Sequence, residues 1–429
     1  MSSKLLSSKL LSYCSALLIL ASFTYVAEDR FSANPGLTGT LLFFRVVPMA
    51  IVGLCCVLAT PPKDYVSYFR EFTRAPFLPW IWYATVAIVS GFVSGLSPAW
   101  STWKCVEILV VVAWAAAISV HMQQTNSYQL LKSCFSTLVI TCYFVCLWAL
   151  TEAFHDGTTL QDYMLRGARL DTEWPHINSI TLSCLSVFVI TTGLLLTGRV
   201  KVTTRVILLI PIFLVLGLSR SRTGLLALFA LGIYTALTRT VSRDKRLGLA
   251  AFGLLVLGIL IASPAIREMM RVDSFHELAR GAGRILDAEG ERSAWQETLS
   301  YVAASPEIGV GFVIIRRFID DDHLAVDNFV LQSFVVAGLV GGLPMVAYVF
   351  YTAFRWLRAR GAADRDAKLV LELGLASTCV ALAKSVTTNG VSAYDVSLVL
   401  FLLGTIAFQS VGWSAGRTRR SSDPLDRLA

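Results

Sequence analysis

Charge is scarce in this sequence. Only 15% of its 429 residues are Asp, Glu, Lys or Arg, whereas 55% are hydrophobic. Mean hydropathy is +0.64, which excludes an ordinary soluble globular domain. The short alternating segments of a membrane barrel are also missing. So is any disulfide framework or metal-ligand spacing. The nine cysteines (Cys14, Cys55, Cys56, Cys105, Cys134, Cys142, Cys146, Cys184 and Cys379) all fall inside apolar runs. They read as small core residues. No internal repeat and no low-complexity segment is evident. No small-residue cleavage site of the A-x-A type follows the first apolar stretch, so Leu11–Ala27 is expected to stay as a first helix.

What the chain does have is long apolar runs. Besides the first, they cover roughly 37–60, 77–96, 100–121, 127–154, 177–197, 203–219, 222–238, 246–264, 327–354, 368–388 and 394–413. Runs near 20 residues match the thickness of a bilayer at the helical rise per residue. The expectation is an all-α polytopic membrane protein with about twelve transmembrane helices. Residues 1–264 would hold helices one to nine, 265–326 one large, partly helical loop, 327–413 helices ten to twelve, and 414–429 a polar basic tail.

Net charge is +8, but its placement says more than its size. Lys63, Arg70 and Arg74; Arg199, Lys201 and Arg205; Arg239, Arg243, Lys245 and Arg246; and Arg355, Arg358, Arg360, Arg365 and Lys368 fall in alternate connections. The opposite connections are poor in such residues: Ser97–Ala99 and Asn389–Tyr394 have none. The positive-inside rule then places both termini in the cytoplasm. It places 155–176, Ser219–Arg222 and 264–326 on the outside. Five charges within spans stand out. Arg45 is mid-span, Lys104 and Glu107 can pair at i,i+3, and Lys132 can snorkel from its helix end. Lys384 nears the outer end of its helix. Arg45 and Lys384 are open equally to a functional role and to structural pairing inside the bundle.

The outer side gathers the chemistry. Arg220 and Arg222 sit in Gly217-Leu-Ser-Arg-Ser-Arg-Thr-Gly224, between two apolar runs with no polar loop to hold them in water. An arginine at membrane depth costs from about 3 kcal/mol upward and so faces a cavity or a partner. Its planar fork suits bidentate contact with phosphate. A break at Ser219–Ser221 would let both arginines face one cleft; the plainer alternative is two anchors reaching for lipid headgroups. Arg292 and Trp295 lie in the large loop. The loop closes on Asp320-Asp-Asp-His323-Leu-Ala-Val-Asp327-Asn328. Asp327 is placed to cap the next helix, or to act as a general base. His323 could do the same with a pKa nearer neutrality, or be a solvated loop side chain. The aspartate run lacks the spaced ligands of a calcium loop and reads as solvated charge, so no metal and no other cofactor is expected. Together these residues suit a lipid-linked pyrophosphate: arginines on the diphosphate, a base on an acceptor hydroxyl.

The run Leu218-Ser-Arg-Ser-Arg-Thr-Gly-Leu-Leu-Ala-Leu228 resembles the signature of the O-antigen ligase and Wzy-type polysaccharide polymerase superfamily. Three further stretches in family order share the likeness: Glu291-Arg292-Ser-Ala-Trp295, Pro306 with Gly309-Val-Gly-Phe312, and Asp327-Asn-Phe-Val-Leu-Gln332 with Gly338-Leu-Val-Gly341. Pro175-His-Ile-Asn178 is similar to the family's Pro-Asn element. The resemblance implies a metal-independent glycosyltransferase of the GT-C type in the bacterial inner membrane, its site facing the periplasm. The implied partners are an undecaprenyl-pyrophosphate-linked oligosaccharide, the lipid bilayer and a chain-length-regulating co-polymerase, with no nucleic acid. Arg220, Arg222 and Arg292 would bind pyrophosphate, Asp327 or His323 would be the base, and Ser221, Trp295, Asn328 and Asn178 would support them. Ligases usually carry histidine where this chain has Asp327, which favours a polymerase over a ligase. A lipid-linked glycan transporter is the more distant alternative: it would favour internal repeats and midplane charges, whereas this chain puts its candidate charges at the outer face beside one asymmetric loop.

Overall fold

The structure is a computed structural model that describes residues 3–22, 35–59, 64–95, 98–125, 127–155, 177–196, 201–219, 302–303, 305–312, 329–357, 365–385 and 393–421. These are almost entirely helical, and no strand occurs among the described residues. In chain order the helices are α1 (Ser3–Ser22), α2 (Pro35–Ala59), α3 (Tyr65–Phe72), α4 (Leu78–Ser94), α5 (Pro98–Thr125) and α6 (Gln129–His155). Then come α7 (Ile177–Leu196), α8 (Val202–Ser219), α9 (Phe329–Ala337), α10 (Leu343–Leu357), α11 (Arg365–Ser385) and α12 (Val396–Ser421). The expected spans over 222–238 and 246–264 lie outside the described residues, as does most of the 265–326 loop.

Four stretches are long and apolar enough to cross a bilayer: Pro98–Thr125, Gln129–Glu152, Val202–Ser219 and Phe329–Thr352. Shorter apolar helices occur at Ser8–Ser22, Arg45–Ala59, Leu78–Ser94 and Val396–Val411. The chain is therefore a helical membrane protein. Local sequence explains several helix ends. Gly95 takes the left-handed conformation (φ 66°) that ends α4, and Pro98 opens α5, where its missing N–H costs nothing. Asp395 caps α12 by accepting from Ser397 N (2.6 Å) and Leu398 N (3.2 Å). The far end of α12 runs on to Ser421, through Arg417, Arg419 and Arg420, where a polar tail was expected from 414. Arginine is a good helix former and is favoured at a C-terminus by the helix dipole.

Cross-helix contacts set the relative directions. Tyr394, just before α12, donates to Leu18 O near the end of α1 (2.7 Å). Lys132 near the start of α6 pairs with Asp366 at the start of α11 (2.6 Å), rather than simply reaching for solvent. The core between the helices is built from fully buried large side chains such as Trp80, Tyr83, Trp114 and Phe135. Trp114 donates to Ser15 Oγ across to α1 (2.9 Å), so its polar edge is satisfied inside the apolar bundle. The cysteines belong to this core: seven are buried and Cys55 and Cys379 partly so, and none forms a disulfide.

Three of the charges within spans form one knot. Arg45 on α2 grips Glu107 on α5 with both Nε and Nη2, the latter at 2.7 Å from Oε2. Its Nη2 also donates to Tyr394 O (3.1 Å), and its guanidinium lies 5.0 Å from the Tyr394 ring. Lys104 reaches the same carboxylate at 3.1 Å, which is the i,i+3 pairing that the spacing allows. Glu107 is fully buried and Arg45 only 4% exposed. Structural pairing thus accounts for Arg45. Lys384 is buried on α11, where its positive charge acts on Asp395.

Candidate functional site

Of the region expected to carry the site, residues 305–312 and the helix that begins at Phe329 are the best-described part. Sequence patterning makes 327–354 one apolar run, yet the chain does not follow it straight. Twenty-one residues of straight helix would separate Phe329 from Phe350 by roughly 31 Å. Their rings are 6.3 Å apart. The reversal lies at a wide five-residue turn, Gly338–Gly342, between α9 and α10. Gly338 has φ 57°, and a Cβ there would strike the carbonyl of Glu307, so only glycine fits.

Residues 305–312 fill the angle as a strap that begins in a turn, Gly309 N donating to Ser305 O (2.9 Å), and runs on through the left-handed Gly309 and Gly311. Leu339 N donates to Pro306 O and Val340 N to Glu307 O, both at 2.8 Å. Farther along, Val310 N donates to Val335 O (2.8 Å) and Gly311 N to Val336 O (3.0 Å). These bonds take up carbonyls that the end of α9 leaves without an intrahelical partner. The other edge of the strap is held by serines from the α4–α5 hairpin. Ser90 Oγ donates to Ile308 O, Ser94 Oγ donates to Val310 O (2.8 Å), and Phe312 N donates to Ser101 Oγ (3.1 Å). Ser101 in turn donates to Ala87 O (2.8 Å), tying the hairpin's own helices together. Gly311 sits where a Cβ would lie 2.7 Å from Gly91 Cα, at φ 81°. The Phe312 ring then packs edge-on against Tyr83 at 6.2 Å.

Two described points therefore bracket the stretch in which the base is expected: Phe312 before it and Phe329 after it. His323, Asp327 and Asn328 lie between them, outside the described residues, as do Arg220, Ser221, Arg222, Arg292 and Trp295. Asn178 is in the first turn of α7, where its backbone alone is described. The α7–α8 pair is antiparallel, with Phe188 and Phe213 in contact at 5.8 Å. Asn178 and Ser219, the neighbour of Arg220, therefore stand at the same end of that pair. Ser219 is buried and donates to Leu216 O (2.9 Å), so α8 stays closed up to the residue before the arginines. The strap serines were not singled out from sequence. Their only local signal is Ser90-Gly91 and Ser94-Gly95, small polar pairs one turn apart in an apolar run. Among the described residues no group of three or more His, Cys, Asp or Glu could hold a metal ion.

No curated protein and no solved structure matches this chain. A family model described as O-Antigen ligase matches residues 207–346. That segment runs from within α8 to the start of α10 and takes in both the strap and the turn that grips it. Over this segment, and in the order of its motifs, the chain is similar to the O-antigen ligase and Wzy-type polymerase superfamily, whose members are glycosyltransferase-like ligases and polymerases.

Proposed function

We propose that this protein polymerises undecaprenyl-pyrophosphate-linked oligosaccharide repeat units on the periplasmic face of the bacterial inner membrane. The observation that carries this reading is the family match over 207–346, which includes Arg220, Ser221, Arg222, Arg292, Trp295, His323, Asp327 and Asn328. In the proposed reaction an acceptor sugar hydroxyl attacks the anomeric carbon of the donor. The bond from that carbon to the diphosphate oxygen breaks, and its electron pair leaves with undecaprenyl pyrophosphate. Asp327 or His323 takes the hydroxyl proton. Arg220, Arg222 and Arg292 hold the diphosphate and offset the charge that builds on it. Ser221, Trp295, Asn328 and Asn178 support these groups. No metal enters the scheme, since the arginines supply the charge that a divalent cation would otherwise bring.

Asp327, standing where ligases usually carry histidine, supports the polymerase over the ligase. The ligase, transferring polymer to lipid A core, is the second reading, because O-Antigen ligase is the description of the matching family. The test is the surface polysaccharide of a deletion strain complemented with wild type, Arg220→Ala, Arg292→Ala or Asp327→Ala. A polymerase leaves single repeat units on lipid when deleted, and the arginine variants fail to restore polymer. Long polymer that stays on its undecaprenyl carrier would identify a ligase instead. Lipid-linked units accumulating only on the cytoplasmic side would mean a transporter and overturn both readings.

A further inference from the structure

We infer that Ser90, Ser94 and Ser101 of the α4–α5 hairpin are positioning residues for the transfer reaction, acting through the backbone of the strap and touching no substrate. The inference rests on the function proposed above, because it concerns the segment that carries the proposed base. The three hydroxyls meet alternate backbone groups of one short stretch: the carbonyls of Ile308 and Val310 and the N–H of Phe312. Gly309 and Gly311, at φ 74° and 81°, shape the backbone between these groups, and all three find their partners on the one hairpin. The opposite edge is held by Val335, Val336, Leu339 and Val340. With both edges bonded, Phe312 has little freedom, and the chain leaves it toward His323 and Asp327 from a fixed place. The hairpin is more than 200 residues away in sequence from the strap, with separations of 218, 216 and 211 residues for the three contacts. Catalysis needs the base held to within a fraction of an ångström, so a joint built from fixed hydrogen bonds at the segment's root matters to rate.

The full-length protein, purified in detergent, would be followed by hydrogen exchange on peptides covering 305–312. The same variants would be scored for polymer in the complemented deletion strain. Ser101→Ala removes the acceptor of Phe312 N, and Ser94→Ala removes the donor to Val310 O. Each is expected to speed strap exchange roughly tenfold, with exchange in α1, α6 and α11 unchanged, which also shows that the variant is folded. Polymer yield should fall by about the same factor. Ser94→Thr restores the hydroxyl at a half-buried position and should restore both readouts. Full polymer from a variant whose strap exchanges fast would overturn the positioning role, as would unchanged exchange in both alanine variants. Full polymer from Arg220→Ala would instead sink the proposed site while leaving the serine contacts as measured, so the two failures are told apart.

Discussion

Two polar regions interrupt this apolar bundle, and they solve the same problem differently. In the knot at Arg45, Glu107 and Lys104, charge meets charge, and burial is tolerated because the guanidinium and carboxylate satisfy each other. At the strap, no charge is used. Bare backbone is brought against the helices, its N–H and C=O groups are taken up by neighbouring backbone and by three serines, and glycines let it approach closely. Irregular backbone in a membrane protein is tolerated only where protein covers it. The knot locks α2, α5 and the start of α12, far in sequence from the family-matched segment. The strap lies inside that segment. The lesson is that the most conspicuous charges in the spans hold the bundle, whereas uncharged serine and glycine shape the approach to the proposed site.

This contrast can be broken at each of its parts. The largest expected effect on stability is at the knot. Glu107→Ala leaves Arg45 and Lys104 facing each other without their shared carboxylate and should cost about 3–5 kcal/mol. A matching fall in the thermal midpoint of the purified protein, followed by labelling of its buried cysteines, would show it. If Glu107→Ala unfolds no earlier than wild type, the knot is not a lock. Next comes the glycine joint. Gly338→Ala forces a side chain into a left-handed backbone and onto the Glu307 carbonyl, at a cost of about 2 kcal/mol or more. Fast hydrogen exchange confined to 305–312 and 338–342 is the expected signature. Exchange spread over the whole bundle would mean that the joint is not a separate unit. Smallest is Lys132→Ala. Its partner Asp366 is 41% exposed, so loss of the pair should shift stability by no more than about 1 kcal/mol. A shift as large as that of Glu107→Ala would show the two ion pairs to be equivalent and erase the distinction. One prediction addresses chemistry alone. Arg220→Lys keeps the charge but loses the planar fork, and it should fail to restore polymer in the deletion strain. Full activity would remove the bidentate phosphate role.

Much of the fold was legible because membrane helices advertise themselves locally. Each backbone polar group is satisfied within its own helix, so length and hydropathy suffice to find the spans at 98–125, 129–152 and 202–219. The i,i+3 spacing of Lys104 and Glu107 likewise announced a pair. Arg45 joining them from α2 was not readable, because the contact is made between residues 62 apart. The fold-back at Gly338 was hidden for a similar reason: Phe329 to Thr352 carries no charge and is strongly apolar on average, and hydropathy has no term for direction. Glycines 309, 311 and 338 were visible as motif, but their task was not, since what requires them is the approach of one backbone to another.

By itself, the sequence determined the helical membrane class, the positions of most of the described helices, the placing of the cysteines in the core and the likeness to the superfamily over 207–346. All of these rest on local composition and on short ordered motifs. The tertiary structure alone decided which charges neutralise one another, where an apolar run bends, and which serines hold the strap. Those are contacts between distant parts of the chain, and they exist only once packing has brought the partners within hydrogen-bonding reach.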